Sequence, residues 1–212
     1  MLQIQIYVAC LASYNNGDLY GKWIDADQDV EDIRNEIAEL LRGSKHPNVR
    51  VKCPDECENG IVGGGGDPMS KCGACHGEGT VPSAEEWAIH DYDGFGSINM
   101  GEHPDLEQVA AIAHNISEHG DAFIAFVSDV AGLGYCDADD WEQNFQDAYA
   151  GTFNSKEAYA EQFIEETCNM KDIPDIIRNH IDYEGIARDM ELGGDMNFVE
   201  DGGEVHVFNA NW

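Results

Sequence analysis

The sequence predicts an α+β protein interrupted by a cysteine-bearing insertion, and three observations lead to that class. Apolar residues recur at strand period in some stretches and at helix period in others. Residues 44–82 change abruptly to a composition rich in Gly, Pro and Cys. The chain of 212 residues carries 42 Asp and Glu against 11 Lys and Arg, a net charge of −31, yet 42% of its residues are hydrophobic. That apolar share sets it apart from acidic disordered chains, which lack the surface to offset their ordering entropy.

Residues 2–12 (LQIQIYVACLA) alternate apolar and polar up to Tyr7 and are then continuously apolar, as in a strand with a buried face. The turn signal Asn15-Asn16-Gly17-Asp18 leads into a second strand over 20–24. Asp27 or Asp29 caps a helix on which Val30, Ile33, Ile37, Leu40 and Leu41 share a face, and Gly43 stops it. Beyond the insertion, 85–90 (EEWAIH) reads as a strand ended by a loop over 91–96. A helix over 105–119 gathers Leu106, Val109, Ala110, Ala113 and Ile116 on one side, with Gly120 closing it. Residues 123–127 (FIAFV) fit a buried strand or the opening of a helix.

Trp141, Phe145, Ala148 and Tyr149 mark a helix ended by Gly151. Ser155 caps the next, running to about Met170 with Tyr159 and Phe163 inward. Pro174 opens a helix with Ile173, Ile176, Ile177 and Ile181, and a further helical turn or two runs through Met190. The tail, 198–208 (FVEDGGEVHVF), reads as a hairpin about Gly202-Gly203.

The insertion holds Cys53-x3-Cys57, fourteen intervening residues, and Cys72-x2-Cys75, in the contexts CPDECENG and CGACHGEG, with a flexible glycine run over 63–66 between them. Two close thiolate pairs on turns suit a closed, structural tetrahedral Zn²⁺ site, with Cys53, Cys57, Cys72 and Cys75 as ligands. An iron–sulfur cluster, a disulfide, a metal-free loop, or His76 in place of one thiolate are the alternatives. CGACHGEG resembles one half of the DnaJ-type zinc-binding repeat CxxCxGxG, whereas the first half carries an extra residue between its cysteines.

Catalytic signatures are missing. There is no HExxH, P-loop or GxSxG, and no GxGxxG between a strand and a helix. His90-Asp91 reads as a structural pair, and His114 and His119 lie five apart, off a common helix face. Asp25, Asp27 and Asp29 alternate like the start of a calcium loop but lack the following Gly and the Glu at the twelfth position. No apolar run approaches the roughly 20 residues of a membrane span, and the first residues lack a basic region. These features predict a cytoplasmic protein that is not an enzyme.

The charge is the remaining signal. Residues 44–82 hold four basic and five acidic residues, so the other 173 carry 37 acids against 7 bases. Such a field repels nucleic acid and anionic membranes. Over 155–170, Glu157, Glu161 and Glu165 fall at i, i+4 and i+8, a repulsive stripe that needs a reason. One is solubility; the other is imitation of a nucleic-acid backbone. At one charge per about 1.7 Å of duplex, 31 charges match about 53 Å of DNA, and a two-fold dimer about 105 Å.

Three segments carry a family resemblance: IYVACLASYNNGDLYGKWIDADQD (6–29), EEWAIHDYDGFG (85–96) and DAYAGTFNSKEAYAEQF (147–163), together 53 residues. They resemble the ArdA family of antirestriction proteins. The resemblance implies an elongated α+β chain of several small domains in a row, dimeric through its carboxy-terminal part. It also implies a non-catalytic mimic of bent B-form DNA, with no required cofactor. Its partner would be the DNA-binding groove of a Type I restriction-modification enzyme, blocked for restriction and often for modification. Family members are typically encoded on conjugative plasmids, transposons and phages, and they replace 44–82 by a short linker.

The expected organisation is an N-terminal α+β domain (1–43 and 83–100) and an inserted four-cysteine zinc-binding module (44–82). A central, mainly helical domain (101–135) and a C-terminal α+β domain with acidic helices (136–212) follow. The expected phosphate mimics are Asp25, Asp27, Asp29, Glu31, Asp137, Asp139, Asp140, Glu142, Asp147, Glu157, Glu161 and Glu165. Tyr149, Phe153, Tyr159 and Phe163 are expected to pack the scaffold beneath them. The competing reading is a zinc-stabilised adaptor or co-chaperone-like protein acting through the four-cysteine module.

Overall fold

The structure, a computed structural model, describes residues 3–55, 57–63 and 69–212. It divides into two units, Met1–Gly94 with Asn99–Ala110, and Phe95–Ile98 with Ala111–Trp212.

In the first unit, β1 (Gln5–Cys10) is the middle strand of an antiparallel sheet between β2 (Gly21–Asp25) and β7 (Trp87–Asp93). Ile6 stands opposite Ile24 on one side and Tyr92 on the other, and Ile6, Val8, Ile24 and Ile89 are fully buried. A short helix, α1 (Leu11–Asn15), fills the turn between β1 and β2; it is too short to leave a periodic trace in the sequence. Helix α2 (Val30–Arg42) buries Ile33, Ile37, Leu40 and Leu41, and the Asp29 carboxylate caps it by accepting the Glu31 N–H at 2.8 Å. Gly43 ends α2 where the Tyr20 hydroxyl crosses so closely that a Cβ would lie 2.3 Å from it.

The insertion starts at Ser44, whose hydroxyl meets that of Ser13 at 3.0 Å and the Cys10 thiol at 3.4 Å. It leaves on β3 (Val49–Lys52) and returns on the antiparallel β6 (Thr80–Ser83), Val49 facing Ser83 and Lys52 facing Thr80. Between them lies a small hairpin of β4 (Ile61–Val62) and β5 (Ser70–Lys71). The glycine run lies outside the described residues from residue 64 onward. Strand β7 continues to Asp93, three residues into the stretch expected as a loop, because its outer residues keep pairing with β1. Helix α3 (Leu106–His119) begins in the first unit and ends in the second.

In the second unit, α4 (Asp121–Ala125) runs directly into a π-helical turn, Phe126–Ala131, so FIAFV is helical. The unit closes on a hairpin of β9 (Met196–Asp201) and β10 (Glu204–Asn209). Helix α5 (Trp141–Ala148) ends one residue short of Tyr149, which opens β8 (Tyr149–Phe153) instead. Gly151, expected as a helix stop, lies within that strand at φ +132°, where the pairing with β10 shifts register. Helix α6 (Lys156–Thr167) is capped by the Ser155 hydroxyl, which accepts the Ala158 N–H at 3.2 Å. Helices α7 (Asp175–Arg178) and α8 (Tyr183–Gly193) connect it to the hairpin. The sheet order is β8-β10-β9, all antiparallel.

Two clusters hold this unit together. Phe123, Phe126, Trp141, Phe145 and Phe208 form an aromatic core with ring centroids 5.5 to 6.4 Å apart, largely edge to face. Tyr159, Ala160, Ala187, Phe198, Val205 and Val207 form the second. Phe163 departs from expectation: α6 fully buries only Tyr159 and Ala160, so the Phe163 ring lies beside Tyr159 and remains 36% exposed. Ile176 is 77% exposed, since a four-residue helix has no face long enough to bury it.

Candidate metal centre and acidic surface

The four predicted cysteines come together. Cys53 follows β3, Cys57 precedes a turn at Glu58–Ile61, Cys72 follows β5, and Cys75 opens the turn that leads to β6. All four are buried, and their sulfur atoms lie within 4.8 Å of one another. Cys53 and Cys72 Sγ are 3.7 Å apart, and Cys57 and Cys75 Sγ 3.8 Å, far beyond the roughly 2.05 Å of a disulfide. All are free thiols. His76 is exposed and does not join the cluster.

Local backbone geometry explains the arrangement. The turns after Cys57 and Cys75 lie back to back: a Cβ on Gly60 would fall 2.3 Å from the carbonyl carbon and oxygen of Gly77. Both glycines have left-handed φ, +87° and +91°, so glycine is required twice over. The Gly79 N–H donates to Cys75 Sγ at 3.3 Å, and the Cys72 N–H donates to the Gly60 carbonyl at 2.8 Å, which joins the two turns. Among the described residues, Val62 and Val81 are the hydrophobic side chains packed on the cluster. Burial pushes the Cys53 thiol up to about 12, with its three neighbouring thiols adding to the rise. Burial raises Cys75 too, but backbone N–H groups of Gly79 and Gly77 outweigh it and bring that thiol down to about 7. Four converging, buried sulfurs with two half-buried valines against them could hold a metal ion.

The twelve predicted carboxylates are distributed rather than gathered. Asp25, Asp29, Glu31, Asp137, Asp139, Asp140, Asp147, Glu157, Glu161 and Glu165 are exposed; Asp27 and Glu142 are half-buried. Several also have local roles. Asp25 accepts the Asp27 N–H at 3.0 Å, Glu31 pairs with Arg34, and Glu142 meets His119 Nε2 at 2.8 Å. Asp147 accepts from the Gln143 amide at 2.9 Å. The Ser155 hydroxyl holds the Glu157 carboxyl below the usual carboxylate range.

Sequence reasoning left out the acids of the final hairpin. Glu200, Asp201 and Glu204 border the same surface depression as Glu157, around Lys156 and Gly202-Gly203. Lys156 bonds Glu191 at 2.9 Å and approaches Glu200 at 3.7 Å, leaving a carboxylate excess there. The signal was the tip sequence EDGGE, which places acids on both sides of a tight turn.

The sequence model for antirestriction protein (ArdA) matches residues 6–205, nearly the whole chain. The chain belongs to the ArdA family. The match runs through the cysteine insertion, so this ArdA protein carries its four-cysteine cluster inside the family domain. No curated protein matches the chain. No helix among the described residues is long and apolar enough to cross a membrane.

Proposed function

We propose that this ArdA protein blocks restriction by imitating DNA: its acidic body occupies the DNA-binding groove of a Type I restriction-modification enzyme, without catalysis. The observation that carries the reading is the carboxylate stripe of α6 continued by the hairpin acids. Glu157, Glu161 and Glu165 advance about 6 Å per step along a helix axis. A DNA strand presents a phosphate every 3.4 Å or so, so one stripe supplies about half the charge density of a strand. Glu200, Asp201 and Glu204 beside Glu157 supply a second row.

The expected partner surface is one built to neutralise phosphates, and modification is inhibited along with restriction. Association is fast and weakens as salt rises, because steering by opposite fields is screened. The working form is a homodimer in the cytoplasm. Exposed Ile176, Ile177 and Leu192 of the second unit supply apolar surface for pairing, and sedimentation of the full chain tests it.

The cluster of Cys53, Cys57, Cys72 and Cys75 takes Zn²⁺. Four sulfurs about 2.3 Å from a tetrahedral zinc ion lie about 3.8 Å from each other, and two of the pairs here stand at 3.7 and 3.8 Å. With all positions filled by sulfur, the ion would staple the insertion and offer no open site. The second reading, an adaptor acting through the four-cysteine module, is favoured by that self-contained construction. Deleting residues 44–82 separates the two readings, since a mimic retains its inhibition and an adaptor loses it. The principal test adds purified protein to a Type I enzyme and follows DNA cleavage and duplex binding. Both fall at stoichiometric protein under the mimic reading; if neither falls, the reading is wrong.

A further inference from the structure

We infer that the outer face of the β2-β1-β7 sheet binds an arginine of the restriction enzyme's phosphate-binding groove, with Trp23 and Tyr7 as an aromatic platform and Asp25, Asp91 and Asp93 as its carboxylate rim. This rests on the mimic reading of the body and adds a contact that phosphates do not make.

The pleat of this sheet separates two faces. Ile6, Val8, Ile24 and Ile89 are buried on one, and Lys22 turns the same way to bond Glu36 of α2 at 2.8 Å. The residues that alternate with them form the other, where two rows of three cross the sheet. Tyr7 stands between Trp23 and Asp91, and Gln5 between Asp25 and Asp93. Trp23 and the three aspartates are exposed, and Tyr7 and Gln5 are half-buried. Lys22 is the single Lys or Arg of the three strands, so they place three acids and no such base on the outer face. His90, the extra residue where the β1–β7 register shifts, lies edge to face with Tyr14, ring centroids 5.2 Å apart.

The two rings are held in place before any partner arrives. Their centroids lie 5.4 Å apart with the planes inclined at 62°, edge to face. The Tyr7 ring crosses Gly21 so closely that a Cβ there would stand 2.8 Å from Tyr7 Cζ, and 2.5 Å from the Val8 carbonyl oxygen. Trp23, on the edge strand β2, nevertheless remains 42% exposed. The Asp25 carboxylate accepts the Asp27 N–H at 3.0 Å and the Asp91 carboxylate the Tyr92 N–H at 2.9 Å, which orients both acids.

Charge complementarity makes the occupant a cation, and the rings select its kind. A guanidinium stacks flat on an aromatic face and offers a fork of N–H donors to a carboxylate at the same time, whereas an ammonium is a hydrated point charge that does neither. Asp25 follows Trp23 by two residues on the same face, about 7 Å along the strand, within reach of a guanidinium stacked on the indole. A protein groove that grips phosphates supplies such side chains.

The acidic body acts at long range and sets the association rate, whereas a stacked arginine is a short-range contact that slows dissociation. Dissociation constants of the full chain for a Type I methyltransferase, measured over a salt series, therefore test it. Trp23→Leu should bind roughly ten- to thirtyfold more weakly through a faster off-rate, by nearly the same factor at every salt concentration because no charge is removed. Trp23→Phe, which keeps an aromatic face, should recover most of that loss. Asp25→Asn with Asp91→Asn leaves both rings in place and should weaken binding about three- to tenfold at low salt and less at high salt.

Equal affinity of Trp23→Leu and the parent overturns the inference. So does an equal loss in Trp23→Leu and Trp23→Phe, which would mean that the aromatic face is not what the partner uses. A change of oligomeric state in Trp23→Leu also overturns it, since the sheet would then face a second copy of this chain. If Trp23→Leu lowers the urea midpoint of the protein, the double aspartate variant decides, and unchanged binding there overturns the inference. Failure of the parent itself to bind the methyltransferase rejects the mimic reading instead.

Discussion

In residues 44–82 the buried centre consists of four thiols with Val62 and Val81 against them, whereas the second unit buries Phe123, Phe126, Trp141, Phe145 and Phe208 in one contiguous cluster. Two half-buried valines contribute at most about 3–6 kcal/mol, and ordering even ten residues costs about 10–20 kcal/mol. An ion held by the four sulfurs would therefore supply what the insertion lacks in apolar burial, whereas the second unit has an extensive apolar core of its own. The same division appears in charge: the insertion is nearly balanced, and 37 of the 42 acids lie outside it. The acidic charge and the four-cysteine cluster thus belong to separate parts of one chain.

Removing any metal that the four thiols hold is the most forceful way to break this comparison. Chelation at neutral pH, or Cys72→Ser, should abolish amide-exchange protection over β3 to β6 and leave β8 to β10 unchanged. A structural zinc site contributes roughly 10–16 kcal/mol in small modules, so the effect should be complete within the insertion. If the exchange of β8 to β10 rises as well, the two regions are not independent. The next effect comes from the other side. Phe208→Ala removes a fully buried ring that lies 5.6 Å from Phe126 and 5.7 Å from Tyr149, and should cost about 3–5 kcal/mol in urea unfolding. Metal stoichiometry should stay the same.

These two regions also differ in how much of them was legible in sequence. The four cysteines were readable because metal ligation would fix residue type and spacing together, and within CGACHGEG the left-handed φ of Gly77 and Gly79 calls for glycine on backbone grounds. Helix α2 was equally clear, with the Ile33–Ile37–Leu40 face and Gly43 agreeing, and the structure chooses Asp29 over Asp27 as its cap. Tyr149 and Gly151 were misplaced because a helix face and a strand start share the same apolar residue, and only pairing with β10 decides between them. Phe163 was misplaced because periodicity marks a face of α6 but not how far along it the neighbouring elements reach. The grouping of acids on the surface was the least legible: Glu200, Asp201 and Glu204 border the same depression as Glu157 only through the fold.

Charge neutralisation sharpens the comparison at intermediate size. Replacing Asp137, Asp139, Asp140 and Glu142 together by their amides should weaken inhibition of a Type I enzyme roughly tenfold at low salt and less at high salt. The salt slope of binding should fall with the block variant and stay constant when 44–82 is deleted. An unchanged slope in the block variant would mean that these acids face away from the partner.

The smallest expected effect is that of one carboxylate. Glu157→Gln should change inhibition less than about twofold, because a distributed field loses little with one member. It should be visible in acid stability all the same. The Ser155 hydroxyl favours the charged form and lowers the folded-state pKa, so the stabilisation is present above the ordinary carboxylate range and is lost as pH falls through the folded value. Parent and Glu157→Gln should therefore differ in stability at neutral pH and converge once the pH falls below the lowered folded-state value. A difference that persists in acid would mean that Glu157 stabilises α6 through its shape and not its charge, and a loss of inhibition beyond tenfold would mean a single critical site where the acidic body predicts none.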